Sequence, residues 1–288
     1  MTATLKENRR QKTLMARQII RLLVTNSYEH DVGKHAAALA YYLLFALFPL
    51  LIFISNLLGL LDLNVTAIIQ SLQQFLPKDI VELVETYLYY ISHTSSHSML
   101  WFTLIFSIWF PMRAAKGLMD DVRLAYHLGK PAHPAAYRIR QLIYTVVQLI
   151  VIGMTLILST LGRHVLRYLT NVLPENTLRI SEYLLSIWQY IRFIPIGLLM
   201  LAALGILYAV SLDNRQSMKS LLPGIIAALV SWLIISIGFS FYVENFAHYS
   251  VIYGTLGAVI VLLMWLYMTA VILILGAELN AALQTIRS

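Results

Sequence analysis

Cysteine is absent from this chain of 288 residues. Disulfides, thiolate metal sites and thiol nucleophiles are excluded at once. Charge is the second shortage. Only 12% of the residues are Asp, Glu, Lys or Arg, against roughly 25% in soluble domains. Enzyme signatures are missing as well, with no GxSxG elbow, Walker A loop or HExxH pair. His93 and His97 stand four apart in SHTSSHS, but without a neighbouring carboxylate, so no metal ligation is expected there. The chain reads as a non-enzyme that needs no cofactor.

What fills the space is apolar. Hydrophobic residues make up 59% of the chain and the mean hydropathy is +0.73. They come in blocks of about 20 or more, the length that a bilayer demands of a helix. The expected fold class is therefore all-α, a polytopic membrane protein built as a six-transmembrane-helix bundle. The expected spans are 36–61, 98–119, 141–162, 193–212, 220–243 and 250–277. The first is uncharged throughout. The second has a short apolar run and must continue through Arg113 and Lys116 to cross. A basic segment over 1–35 precedes the transmembrane domain of 36–283, and 284–288 form a tail. Residues 1–34 are polar and basic, so no secretory signal peptide is expected.

The basic residues sort by loop. Sixteen of the 21 Lys and Arg fall in the N-terminal segment, the second and fourth loops and the C-terminus, and five in the alternate loops. Positive charge marks the cytoplasmic side, so both termini are expected in the cytoplasm of a bacterial cell, with the protein multi-pass in its cell membrane. The net charge of +7 is then a topology signal facing anionic lipid, and nucleic acid is not an expected partner.

Two outer loops carry amphipathic patterns. Val65, Ile68, Ile69, Leu72, Phe75 and Leu76 recur at helical spacing until Pro77, and a second run follows from Ile80 to Ile91. These are expected as short extracytoplasmic helices in the interface, with a similar cap over 163–192.

Polar residues within apolar helices are the candidates for function. Arg113, Lys116 and Asp120 share a helix face, and Lys116 and Asp120 are at pairing distance. Arg113 reads in two ways: as a long cation snorkelling to the interface, or as a group facing a polar cavity suited to a phosphate or carboxylate. Glu244 stands alone where the last two spans meet. Glu278 and Asn280 close the last helix, where a carboxylate opposes the macrodipole. A structural clamp to a cationic residue and a substrate or proton site both account for Glu278. Pro49 interrupts the first span and is expected to kink it. Gly254 begins the last helix in a small-xxx-small step. Gly224, Ala228, Ser231 and Gly238 form a small-residue stripe of the ordinary packing kind.

The stretches AAALAYYLLFALFPLL (36–51) and YGTLGAVIVLLMWLYMTAVILILGAELNA (253–281) resemble the YihY/BrkB family of bacterial inner-membrane proteins along nearly the whole chain. Ala46 and Arg123 depart from the pattern, which has serine and asparagine there. The resemblance implies six helices, cytoplasmic termini and a link to envelope-lipid handling. An older ribonuclease BN label for the family has no counterpart in the short cytosolic loops, which lack clustered metal-binding carboxylates or a histidine acid/base site. The expected function is a transporter or flippase-like protein for a lipid or other amphiphilic envelope compound. Arg113 and Lys116 are expected to contact an anionic group, with Asp120, Glu244 and Glu278 as gating or coupling carboxylates. A non-transporting scaffold for envelope assembly is the alternative. Membrane lipids are the expected partners either way.

Overall fold

The computed structural model describes residues 2–60, 81–82, 85–86, 97–172, 193–213, 216–245 and 255–287. Among these, seven helices follow one another and no strand occurs: α1 Thr2–Glu29, α2 Val32–Leu60, α3 His97–Ala125, α4 Pro134–Val172, α5 Phe193–Ser211, α6 Met218–Asn245 and α7 Thr255–Arg287. The fold is all-helical. Four helices are long and apolar enough to cross a membrane, over Val32–Ile52, Pro134–Thr155, Met218–Val243 and Leu256–Ile286. Helix α5 contributes an apolar stretch over Ile196–Ser211 among the described residues, and in α3 the apolar run gives way at Arg113. Four candidate spans are thus established among the described residues, and the expected count of six is not confirmed by them.

The basic N-terminal stretch folds as α1. Arg17 and Arg21 are exposed beside Ile20 and Val24, so apolar and cationic side chains alternate along its open surface. Helix α3 runs unbroken through Arg113 and Lys116. Helix α4 starts on Pro134, whose fixed φ and missing N–H suit a first helical position, and it continues to Val172. Residues 163–172 of the expected outer cap therefore belong to α4 itself. Most of the two amphipathic outer runs lies outside the described residues, although Val81 is buried in the same core cluster as Phe239 and Val261. Pro49 sits inside α2.

Outward faces are apolar in a way water would not tolerate. Ile226, Val230, Ile234, Ile237 and Phe241 of α6 are all exposed. A contiguous surface of this kind would aggregate in water and is ordinary against lipid. Inside, small residues let backbones close up. A Cβ on Gly224 would stand 2.1 Å from the Gly276 carbonyl oxygen, so α6 and α7 touch backbone to backbone. Ala228 is buried in the same crossing, whereas Ser231 and Gly238 of the stripe face outward. Polar bridges tie the same pair at depth: Trp232 Nε1 donates to Thr269 at 3.1 Å and Trp265 Nε1 to Ser236 at 3.3 Å.

The ends of α1, α3 and α5 share one device. Asp31, His127 and Asp213 adopt left-handed φ values of 49°, 51° and 55°, a conformation that Asp and His tolerate better than most residues. Each reverses the chain at the polar end of the bundle, where the charged side chains gather.

Candidate functional site

The polar end is a set of closed contacts. Arg123 of α3 is 7% exposed, too buried to leave its guanidinium unsatisfied. Its Nη1 donates to the Ser211 carbonyl at 3.0 Å and to Asp213 Oδ2 at 2.9 Å, and its Nη2 donates to the Gly129 carbonyl at 2.9 Å. The same guanidinium lies over the Tyr137 ring, 5.4 Å from its centroid. Arg140 completes the hub by donating to Asp213 Oδ1 at 2.7 Å. Partial burial raises the Asp213 pKa, but the hydrogen bonds and charges of both arginines outweigh it and hold the carboxyl below the usual carboxylate range.

Glu278 is 1% exposed near the end of α7. It is met from α1 and the turn that follows: Asn26 Nδ2 donates to its Oε2 at 3.0 Å, and His30 Nδ1 lies 2.6 Å from its Oε1. The His30 ring stands edge-on to His127 at 5.4 Å. A second histidine–carboxylate pair, His35 with buried Asp121, joins α2 to α3. The two buried carboxylates are close enough to feel one another's charge.

Asn280 performs a different repair. Its amide donates to the Leu221 carbonyl at 2.7 Å and accepts the Gly224 N–H at 2.6 Å. These contacts bracket Pro223, whose ring disrupts the start of α6.

A contrasting environment lies between α3 and α4. An open cavity of about 540 Å³ there is lined by Arg113, Lys116, Arg138 and Gln141 on its polar side, and by Trp109 and Leu142 among its apolar walls. The Arg113 guanidinium sits 5.1 Å from the Trp109 ring centroid. Lys116 is tied to Asp120 at 2.5 Å, and Asp120 also accepts from Tyr137 Oη at 3.2 Å. Among the described residues, neither Arg113 nor Arg138 has an ion pair or a hydrogen bond. Gln141 is 3% exposed, and its buried Nε2 lies near the Tyr137 hydroxyl without forming a well-formed hydrogen bond among the described residues.

The expected site residues thus separate. Arg113 and Lys116 share the cavity, with Asp120 holding Lys116. Glu278 is at the polar end with an asparagine and a histidine as partners, and Asn280 is in the α6–α7 crossing. Glu244 closes α6 with its side chain outside the described residues, and Gly254 lies outside them altogether. Arg138 and Gln141 were not among the expected site residues. Their signal was the i, i+3 spacing just after a helix-starting proline.

The sequence profile of the virulence factor BrkB family matches residues 23–288. The ribonuclease-like protein YfkH of Bacillus subtilis is 30% identical over 254 residues, covering 88% of this chain and 90% of its own. A UPF0761 membrane protein of Pseudoalteromonas translucida is 31% identical over 32% of this chain and 31% of its own, and one of Alteromonas mediterranea is 35% identical over 38% and 35%. No solved structure matches. With the profile spanning all but the first helical turns, this chain is a membrane protein of the BrkB virulence-factor family.

Proposed function

We propose that this chain moves a lipid or other amphiphile across the bacterial cytoplasmic membrane, as a transporter or flippase-like protein with both termini in the cytoplasm. The observation that carries this reading is the α3–α4 cavity. It sets two guanidiniums, unpaired among the described residues, beside the apolar surfaces of Trp109, Met112, Ile139 and Leu142. A cation at membrane depth is costly and persists where it serves a polar path or partner. An amphiphile supplies both halves of the match, an anionic head and an apolar body.

The test is translocation of labelled phospholipids in proteoliposomes, comparing the native protein with Arg113→Ala. Translocation well above empty liposomes that is lost in the variant supports a path along α3. Equal rates in both proteins remove Arg113 from the path. Rates no higher than empty liposomes favour the scaffold alternative, for which the exposed apolar residues Leu14, Ile20 and Val24 of α1 offer a contact surface. The ribonuclease-like name belongs to the Bacillus relative and is not carried over. Among the described residues no three His, Asp or Glu converge as a metal-holding group.

A further inference from the structure

The cavity can be read more finely through its charges. Three cations line it, but Lys116 is already neutralised by Asp120 at 2.5 Å. Arg113 and Arg138 remain, the first from α3 and the second from the first turns of α4. Guanidiniums present paired N–H groups that match two oxygens of a phosphate, which an ammonium does not. Gln141 stands one turn beyond Arg138 on the same face, and its buried amide nitrogen makes no well-formed hydrogen bond among the described residues, although the Tyr137 hydroxyl is near it. A buried donor left open in this way calls for a partner from a ligand or water.

We propose that the α3–α4 cavity binds the anionic phosphate headgroup of a membrane lipid, with Arg113 and Arg138 gripping the phosphate and Gln141 donating to it. The proposal rests on the reading of this cavity as the place of the substrate. Two features select a lipid over a soluble phosphate. Trp109 and Leu142 wall the cavity beside the arginines, and aromatic residues of this kind sit at headgroup level. Helix α4 is apolar enough to span from Pro134 onward, which sets Arg138 near the boundary between headgroups and acyl chains. The net positive charge also selects an anionic head over a zwitterionic one, whose own cation would be repelled.

Calorimetric titration of the purified full chain in zwitterionic nanodiscs tests this. The probes are short-chain phosphatidic acid, the matching phosphatidylcholine and inorganic phosphate. Phosphatidic acid is expected to bind about tenfold or more tightly than either of the others. Arg113→Gln and Arg138→Gln are each expected to weaken it by about tenfold or more, the scale of a charge-assisted hydrogen bond. Gln141→Leu, which removes the donor at similar volume, is expected to weaken it several-fold. Arg21→Gln, an exposed cation on α1 outside the cavity, is expected to change nothing.

Equal binding of the two lipids, or an equal loss in Arg21→Gln, overturns the proposal. Inorganic phosphate binding as tightly as phosphatidic acid overturns its lipid half. Selective binding without translocation leaves the site standing and removes the transport reading. Translocation without selective binding, unchanged in Arg138→Gln, does the reverse.

Discussion

Arg113 and Arg123 lie on one helix, about 15 Å apart along its axis at 1.5 Å per residue, and they live opposite lives. Arg123 is buried, with its N–H groups engaged by two backbone carbonyls and a carboxylate. Arg113 is exposed, its guanidinium lies over the face of Trp109, and it has no ion pair or hydrogen bond among the described residues. The difference is one of partners supplied by other helices. Around Arg123 the ends of α3 and α5 and the start of α4 converge, so its charge is absorbed into the fold. Around Arg113 the neighbouring α4 brings another cation, Arg138, and the charge is left for something else. A buried, satisfied arginine reports on architecture. One without a partner among the described residues leaves its charge available, which is the basis of the proposed headgroup site.

Breaking the satisfied region should cost most. Arg123→Ala strips donors from the Ser211 and Gly129 carbonyls and leaves Asp213 with Arg140 alone. Loss of one member of a buried pair costs about 3–5 kcal/mol, so thermal unfolding in detergent should show a large drop or no folded protein. Arg123→Lys should recover only part, because an ammonium cannot fork between those acceptors. The α6–α7 crossing comes next. Gly224→Ala drives a Cβ to 2.1 Å from a backbone oxygen and into the Asn280 amide, an overpacking of about 1–3 kcal/mol. Gly238→Ala on the same helix meets nothing within 4 Å, and Ala is the better helix former. It should leave the melting temperature unchanged or raise it.

Acid should weaken the same hub by a smaller amount. The folded Asp213 carboxyl is held below its ordinary value by Arg123 and Arg140 against the opposing effect of burial, so the unfolded chain takes up the proton first. The stabilisation is complete above the ordinary aspartate value of about pH 4. It is lost as pH falls through the lower folded value. Unfolding followed from pH 6 down to pH 3 should show a decline that Asp213→Asn shares less. A parallel decline in both proteins would assign the acid sensitivity to other carboxylates.

Long apolar runs made α2, α6 and α7 legible, because each carries enough consecutive hydrophobic residues to be read without knowing its neighbours. Helix α1 was hidden: its basic residues register as a topology signal, and its apolar ones are too sparse to announce a helix that packs on α7. The Lys116–Asp120 pair is local, four residues apart, and follows from spacing. Glu278 stood out because it opposes its own helix dipole, but its partner His30 is 248 residues away and is reached only when α1 turns at Asp31. Arg123 looked like one more topology charge and a departure from the family pattern. Nothing in the linear chain says that Ser211, Gly129 and Asp213 surround it. The same holds for Arg138 and Gln141, which become cavity residues only once α3 and α4 stand side by side.

The smallest expected effect sharpens the contrast most. Arg113→Ala removes a charge that no carboxylate or carbonyl among the described residues receives, so it leaves no buried partner stranded. Substitutions of this kind fall within about 0.5 kcal/mol of neutral, and the loss of the Trp109 contact adds at most about 0.5–1 kcal/mol at an exposed site. Melting temperature in lipid-free zwitterionic micelles should therefore barely move. Adding an anionic lipid should raise the native protein's melting temperature, since a ligand that binds only the folded state stabilises it by mass action, and should do much less for Arg113→Ala. If the variant instead melts far below the native protein without lipid, Arg113 is a structural residue like Arg123, and the two ends of α3 differ in degree alone.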